Sequence, residues 1–349
     1  MKAPDDDRPA RKQATLRGLE FLYRNSGDAR NFEAWGHDYL CCFHCIASTS
    51  RDGDLRRAAL TMGRERARRW RRDHRRVPDD ADAETIARLV IGSDAADRLG
   101  LRDDALKGEI RRAAGQFTAE DYFAFDAFTE PPPRDVPDCC DCGLYNSRGR
   151  KRCRDCKARL EMISPYKLWT DALTRSYMGE RYGVTVGAPY GEVIKWLHDM
   201  RPYRGREGDA NGDFYHTVYA VTHVVYTLND YSTYNLSREL LSQEFEFLSA
   251  NLAEAISLGD AEMVGEFLDS LMAFGASAND SLIREGRQYL LSRQNPDGSW
   301  GDTDAEDIYS RYHPTWTAID GLRDYRWRGE GLSFSDLKPV LAGLPERVQ

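Results

Sequence analysis

At 349 residues the chain is long for one ordinary domain, but a helical toroid or barrel uses such a length as a single unit. A formal net charge of −8 and a pI near 5.5 exclude the basic footprint of a nucleic-acid-binding domain. There is no run of the ~18 apolar residues that a membrane span requires, and the opening MKAPDDDRPARK lacks the apolar centre of a signal peptide, so a cytoplasmic protein without a membrane span is expected.

Residues 1–12 combine proline and charge without apolar periodicity, and they are expected to be disordered. From 13 to 134 the apolar spacing is that of helical hairpins: LRGLEFLY, WGHDYLCCFHCIAS, LRRAALTMGRERARRW, ETIARLVIGSDAADRLG and DALKGEIRRAAGQF. Within them the basic run RERARRWRRDHRR, residues 64–76, reads as a solvated or ion-paired helix face, and no partner is assigned to it. Pro131, Pro132 and Pro133 end this half. A short cysteine-rich insertion occupies 135–160, after which the helical pattern runs from 161 to 343 with Gly-rich and Pro-rich interruptions. Strand signals are nearly absent, so the expected class is all-α with one small β element in the insertion.

The insertion carries the strongest local signal. Cys139-x2-Cys142-x10-Cys153-x2-Cys156 has the two-knuckle spacing of a four-cysteine zinc site, with Gly143 where a knuckle turn tightens. Four thiolates close the tetrahedron and leave no open position, so this zinc is expected to be structural. Cys140 is read as a bystander, and Arg148, Arg150, Lys151 and Arg152 offer a docking face for a protein partner.

Two other segments carry a resemblance. QNPDGSWG (residues 294–301), followed by YHPTWTAIDGL, resembles the repeat of squalene-hopene cyclases and of protein prenyltransferase β-subunits, and GDFYHTVY (212–219) is similar to the segment that supplies the zinc-binding histidine of prenyltransferases. The resemblance implies an α/α toroid, with inner helices around a central cavity, and His216 as a zinc ligand. It does not bring the family's catalytic motifs. No D-x-D-D occurs, since Asp302-Thr303-Asp304-Ala305 stops one residue short, and D-D-x-x-D fails at Ala83.

Three histidines follow an aromatic or a glycine at the mouth of an apparent inner helix: His37, His216 and His313, the last with Pro314 suited to the first helical position. Seven residues further along the same faces stand His44, His223 and Asp320. In a toroid, equivalent positions would meet across the cavity. That predicts an upper set of His37, His216 and His313, suited to zinc with an open position, and a lower set of His44, His223 and Asp320, the composition favoured by non-haem iron. Asp230, Tyr219 and Asp320 are the candidate catalytic groups, and Trp35, Tyr215, Tyr219, Tyr312 and Trp316 the candidate lining. His74, His198 and the Asp38, Cys42, Cys45 face are read as structural.

The expected function is a metal-dependent enzyme acting on a small, largely apolar organic substrate, with a second Zn2+ or Fe2+ as Lewis acid or oxygen-activating centre. The alternatives are a cyclase or prenyltransferase with divergent catalytic residues, and a non-catalytic module that holds a lipid-like ligand.

Overall fold

The computed structural model describes residues 7–139, 146–206 and 213–343. These residues form an all-α protein with one two-stranded element, as the periodicity predicts. In chain order the elements are α1 (Arg8–Asn25), α2 (Ala29–Thr49), α3 (Gly53–Asp73), α4 (Ala83–Arg98), α5 (Asp104–Ala114), α6 (Ala119–Phe123), β1 (Pro137–Asp138), β2 (Glu161–Met162), α7 (Pro165–Tyr182), α8 (Tyr190–Ile194), α9 (Leu197–Met200), α10 (Phe214–Leu228), α11 (Ser242–Leu258), α12 (Ala261–Ala273), α13 (Ser281–Arg293), α14 (Tyr309–Leu322) and α15 (Leu337–Ala342). None of these helices is long and apolar enough to cross a membrane.

Many helix starts are written in short polar side chains that satisfy the unpaired N–H groups of the first turn. Asp28 accepts from the N–H groups of Arg30 and Asn31, Asp52 from Asp54 and Leu55, Asp260 from Met263, and Asp280 from Leu282. Thr118 and Asp121 form a reciprocal capping box at α6.

The chain divides into two compact units that interleave along the sequence. The first comprises Met1–Arg76, Ile91–Lys107 and Val225–Ser335, and the second Val77–Val90, Gly108–Val224 and Asp336–Gln349. In the first unit α1, α2, α3 and α14 share a core of Leu19, Leu22, Tyr39, Phe43, Ile46 and Ile319. Within the second, α7 packs against α6 and α8 around the fully buried Trp169, and β1 pairs antiparallel with β2 at the base of the cysteine segment.

Residues 8–12 are helical, not disordered. Pro9 falls in the first turn, where its missing N–H costs nothing. Two residues later the buried Arg11 donates to Leu322 O at 2.8 Å and pairs with Asp7 and Asp324 at 2.9 and 3.0 Å, tying α1 to the end of α14. These long-range bonds have no apolar period to announce them.

The QNPDGSWG turn is the other tie. Gln294 donates to Ala14 O (2.9 Å) and Gly298 O (3.0 Å), and Arg17 donates to Asn295 O (3.1 Å) and Pro296 O (2.7 Å). Asp297 pairs with Arg311, while the fully buried Trp300 indole donates to Leu290 O at 2.7 Å. A single turn therefore clasps α1, α13 and α14. Gly298 (φ 95°) can hold its place because a side chain there would strike the Arg17 backbone at 2.6 Å.

Two helix starts differ from expectation. Helix α14 begins at Tyr309, so Pro314 lies inside it. The carbonyl left without a proline N–H is that of Ser310, and Gly301 packs so closely against it that a Cβ would come within 2.1 Å. His37 likewise lies inside α2, two residues after a break at Trp35 (φ −128°, ψ 16°).

The basic run lies mainly on α3 and is largely consumed by structure. Arg64 donates to Leu99 O at 3.1 Å, Arg66 to Tyr23 O at 2.9 Å and Arg69 to Gly27 O at 2.9 Å, while Arg71 binds Leu101 O at 2.9 Å and Asp97 at 2.6 Å. His74 stacks on Trp70 with ring centroids 3.8 Å apart.

Candidate functional site

Among the described residues, two groups of three or more potential ligands have all their ligand atoms within 4.8 Å of one another. One is Cys139, Cys153 and Cys156; the other is Glu262, Glu266 and His313. Neither the His37, His216, His313 set nor the His44, His223, Asp320 set is among them. His37, His44, His313 and Asp320 belong to the first unit, whereas His216 and His223 stand on the stretch of α10 assigned to the second. The assumption that like positions meet around a ring does not give the partners of His313.

The cysteine group is built by a loop folded on itself. An antiparallel bridge joins Arg152 and Arg159, Cys153 N donates to Ala158 O at 2.9 Å, and Asn146 N donates to Pro137 O at 3.0 Å. Cys139 Sγ and Cys156 Sγ lie 3.2 Å apart. That is far beyond the ~2.05 Å of a disulfide and closer to the ~3.8 Å that separates two thiolates on one tetrahedral ion at ~2.3 Å bonds. Asp155 N and Asn146 Nδ2 approach Cys153 Sγ at 3.4 and 3.7 Å, the polar support that a metal-bound thiolate receives. The donor set fits a soft or borderline cation. The fourth expected ligand, Cys142, and its neighbours Cys140 and Gly143 lie outside the described residues.

The second group depends on how closely α12 and α14 approach. A Cβ on Gly265 would come within 2.4 Å of the Thr317 backbone, and one on Gly321 within 3.1 Å of Gly265 Cα, so the helices cross nearly backbone to backbone. Glu262, Glu266 and Asp269 fall at i, i+4 and i+7 on one face of α12, and His313 and Asp320 lie seven apart on α14. His313 Nδ1 is 3.0 Å from Glu262 Oε1, yet it has no hydrogen-bond partner of acceptable geometry. Glu266 is fully enclosed, while Glu262 and His313 keep 13% and 16% side-chain exposure. Despite its burial, the surrounding carboxylates, Glu262 foremost, push the His313 imidazole up to about 9. The site therefore demands positive charge.

Aromatic rings surround this histidine. Tyr309 stacks on it with centroids 4.9 Å apart and Trp316 meets it edge-on at 6.0 Å. Tyr312 and Trp35 complete the wall, 5.6 Å from each other, and the Tyr312 hydroxyl donates to Asp38 at 2.8 Å. His37 stacks beside Trp35 at 6.3 Å, with Nε2 3.6 Å from Asp38.

One turn deeper lies a buried acid pair. The Ser232 hydroxyl reaches both oxygens of Asp269, at 2.8 and 3.0 Å, and Arg323 donates to Asp320 at 2.6 Å and to Thr49 at 2.7 Å. Burial, and then the charge of Asp320, pushes the Asp269 carboxyl up to about 7. Burial raises Asp320 as well, but its bond to Arg323 favours the charged form there.

The other expected residues fall elsewhere. Asp230 begins a left-handed run with Tyr231 and Ser232 (φ 52°, 47° and 65°), and its N–H donates to Ser333 at 2.8 Å. His223 Nδ1 faces Tyr219 O at 2.7 Å, a bond that fixes the ring by its own helix turn. Burial lowers the His216 imidazole below its ordinary range. Tyr215 is exposed, while Cys41, Cys42 and Cys45 are buried. Glu262, Glu266 and Asp269 were not read from the sequence. Their one signal is an acidic stripe at helical spacing inside the otherwise apolar AEMVGEFLDSLMA.

The chain matches no protein-family model, no curated protein and no solved structure, so geometry and chemistry alone carry the functional reading.

Proposed function

We propose that the chain is a metal-dependent enzyme, with a catalytic divalent cation held by Glu262, Glu266 and His313 and a structural zinc held by the cysteine group. The observation that carries this reading is the convergence of two carboxylates and an unaligned imidazole nitrogen, within 4.8 Å of one another, at a crossing of two helices. Three protein ligands leave positions open, as a catalytic site requires and a four-thiolate site does not. Oxygen-rich donors with one imidazole suit Mn2+, Fe2+ or Zn2+. Such an ion supplies Lewis acidity or a lowered pKa for a bound water.

The chain's own residues do the rest. Trp35, Tyr309, Tyr312 and Trp316 exclude water on one side of His313 and suit a small, largely apolar substrate. Asp269, protonated near neutral pH, is the proton donor, and Asp320, fixed by Arg323, is the charge that keeps that proton in place.

Metal analysis of the purified chain tests the reading. One equivalent beyond the cysteine-bound zinc is expected, and Glu266→Gln and His313→Ala should each weaken it by roughly 100-fold or more while the circular dichroism of the helices is unchanged. Unaltered metal content in both folded variants would refute the assignment.

A further inference from the structure

A cleft of about 530 Å³ opens in the first unit, apart from the ligand groups described above. Its lining contains four arginines, Arg8, Arg11, Arg51 and Arg287, against one carboxylate, Asp324. The carboxylate is already engaged: Arg11 binds it at 3.0 Å, and Arg8 Nε lies 3.8 Å away. Arg287 is 96% buried, but it comes no closer than 4.0 Å to Asp324. One of its terminal nitrogens faces Met272 Sδ at 3.1 Å, a weak acceptor, and its Nε has no partner. A guanidinium held this deep with an unpaired Nε, a sulfur acceptor and a carboxylate no nearer than 4.0 Å is costly in a structure that serves folding alone.

The rest of the cleft has a different character. Tyr325, whose ring Arg323 covers at 4.1 Å, stacks with Trp327 at 4.7 Å and 22° as one aromatic block lining the cleft, and Met272, Ala276 and Ala278 add apolar surface. The volume is that of a small-molecule site. Four arginines against Asp324 and the Asp7 that pairs with Arg11 leave an excess of two positive charges, more than one monocarboxylate neutralises and matched to a multiply charged anion with several acceptor oxygens.

We propose that this cleft binds a small phosphorylated molecule, with Arg287 as the buried fork for its phosphate or diphosphate and the Tyr325 and Trp327 rings against its body. The site goes beyond the metal-dependent reaction, and it is tested without metal so that the two proposals fail separately.

The test is calorimetric titration of the full chain with inorganic phosphate and pyrophosphate, in chelator-treated buffer of low ionic strength, together with melting curves. Saturable binding and a rise in Tm are expected, with pyrophosphate the tighter. Arg287→Met should weaken binding about tenfold or more and, without ligand, should melt at or above the wild-type temperature, since it removes a buried charge that is only weakly paired. A merely structural Arg287 would instead lower the melting point and leave affinity intact. If that variant does not fold, the exposed Arg51→Met should still weaken pyrophosphate severalfold. Arg75→Met, in the basic run, should bind as wild type; equal loss there would reduce the effect to unspecific charge. Absence of binding by wild type, or preference for a dicarboxylate such as succinate, would overturn the proposal.

Discussion

Cys139, Cys153 and Cys156 are gathered by a loop that closes on itself through a few backbone bonds, whereas Glu262, Glu266 and His313 are gathered by the crossing of two helices. In the first group sequence neighbours are spatial neighbours, and the geometry needs only tight turns. The second requires the packing of α12 on α14, and hence the core of the first unit, to be correct before any ligand is in reach. The thiolate group accordingly depends on local turns, and the carboxylate and imidazole group on tertiary packing.

The largest expected effect breaks this comparison at its root. Gly265→Ala puts a methyl group within 2.4 Å of the Thr317 backbone, which cannot move aside as a flexible side chain could. The helices must separate, at a cost of about 3 kcal/mol or more. Denaturant unfolding should show the loss, and metal analysis should show the Glu262, Glu266, His313 ion gone with cysteine-bound zinc retained. A wild-type midpoint would mean that α12 and α14 can part by a methyl's width, and the close crossing would lose its explanatory role.

The same difference explains what could be read from the sequence. The cysteine spacing is a local pattern tied to one coordination geometry, so it could be read without a fold. Helical periodicity is equally local, and the all-α class followed from it. It says nothing of which helices meet, and the interleaving of the two units was invisible for that reason. The residue pair Glu262 and Glu266 is an ordinary i, i+4 spacing on any helix surface, and only its burial against His313 gives it meaning. Equivalent ring positions do not lead to Glu262 and Glu266 as the neighbours of His313, and Pro314, suited by sequence to a helix start, lies inside α14. Gly301, by making room for the Ser310 carbonyl, lets the proline sit within the helix.

A second, smaller effect sharpens the contrast, because only the helical site carries a buried acid pair. Asp269 is pushed up to about 7 in the folded chain, against an ordinary value near ~3.9 for an unfolded aspartate. The folded state then holds more protons than the unfolded state between those values, so this residue's contribution is full below about pH 4 and is lost as the pH rises to about 7. Its slope is at most about 1.4 kcal/mol per pH unit. Asp269→Asn keeps an oxygen for the Ser232 hydroxyl and removes the charge, so its stability should exceed that of wild type increasingly from pH 4 to pH 7. Parallel pH profiles for the two proteins would place the proton elsewhere.

The smallest effect concerns what supports the thiolates. Asn146 spans the loop, with Nδ2 3.7 Å from Cys153 Sγ and Oδ1 accepting from Arg154 N at 2.9 Å, so it both quenches thiolate charge and fixes the turn that carries it. Asn146→Ala removes those two bonds and keeps the three cysteines. Metal retention should fall about tenfold, near 1.4 kcal/mol, as read by competition with a chromophoric chelator. Ion binding at Glu262, Glu266 and His313 should be unaffected. If retention is unchanged, Asn146 adds nothing to the hold on the thiolate beyond backbone support such as the Asp155 N–H at 3.4 Å. The loop would then be held by its backbone, with its side chains free to vary, unlike the helical site, whose ligands depend on every contact between α12 and α14.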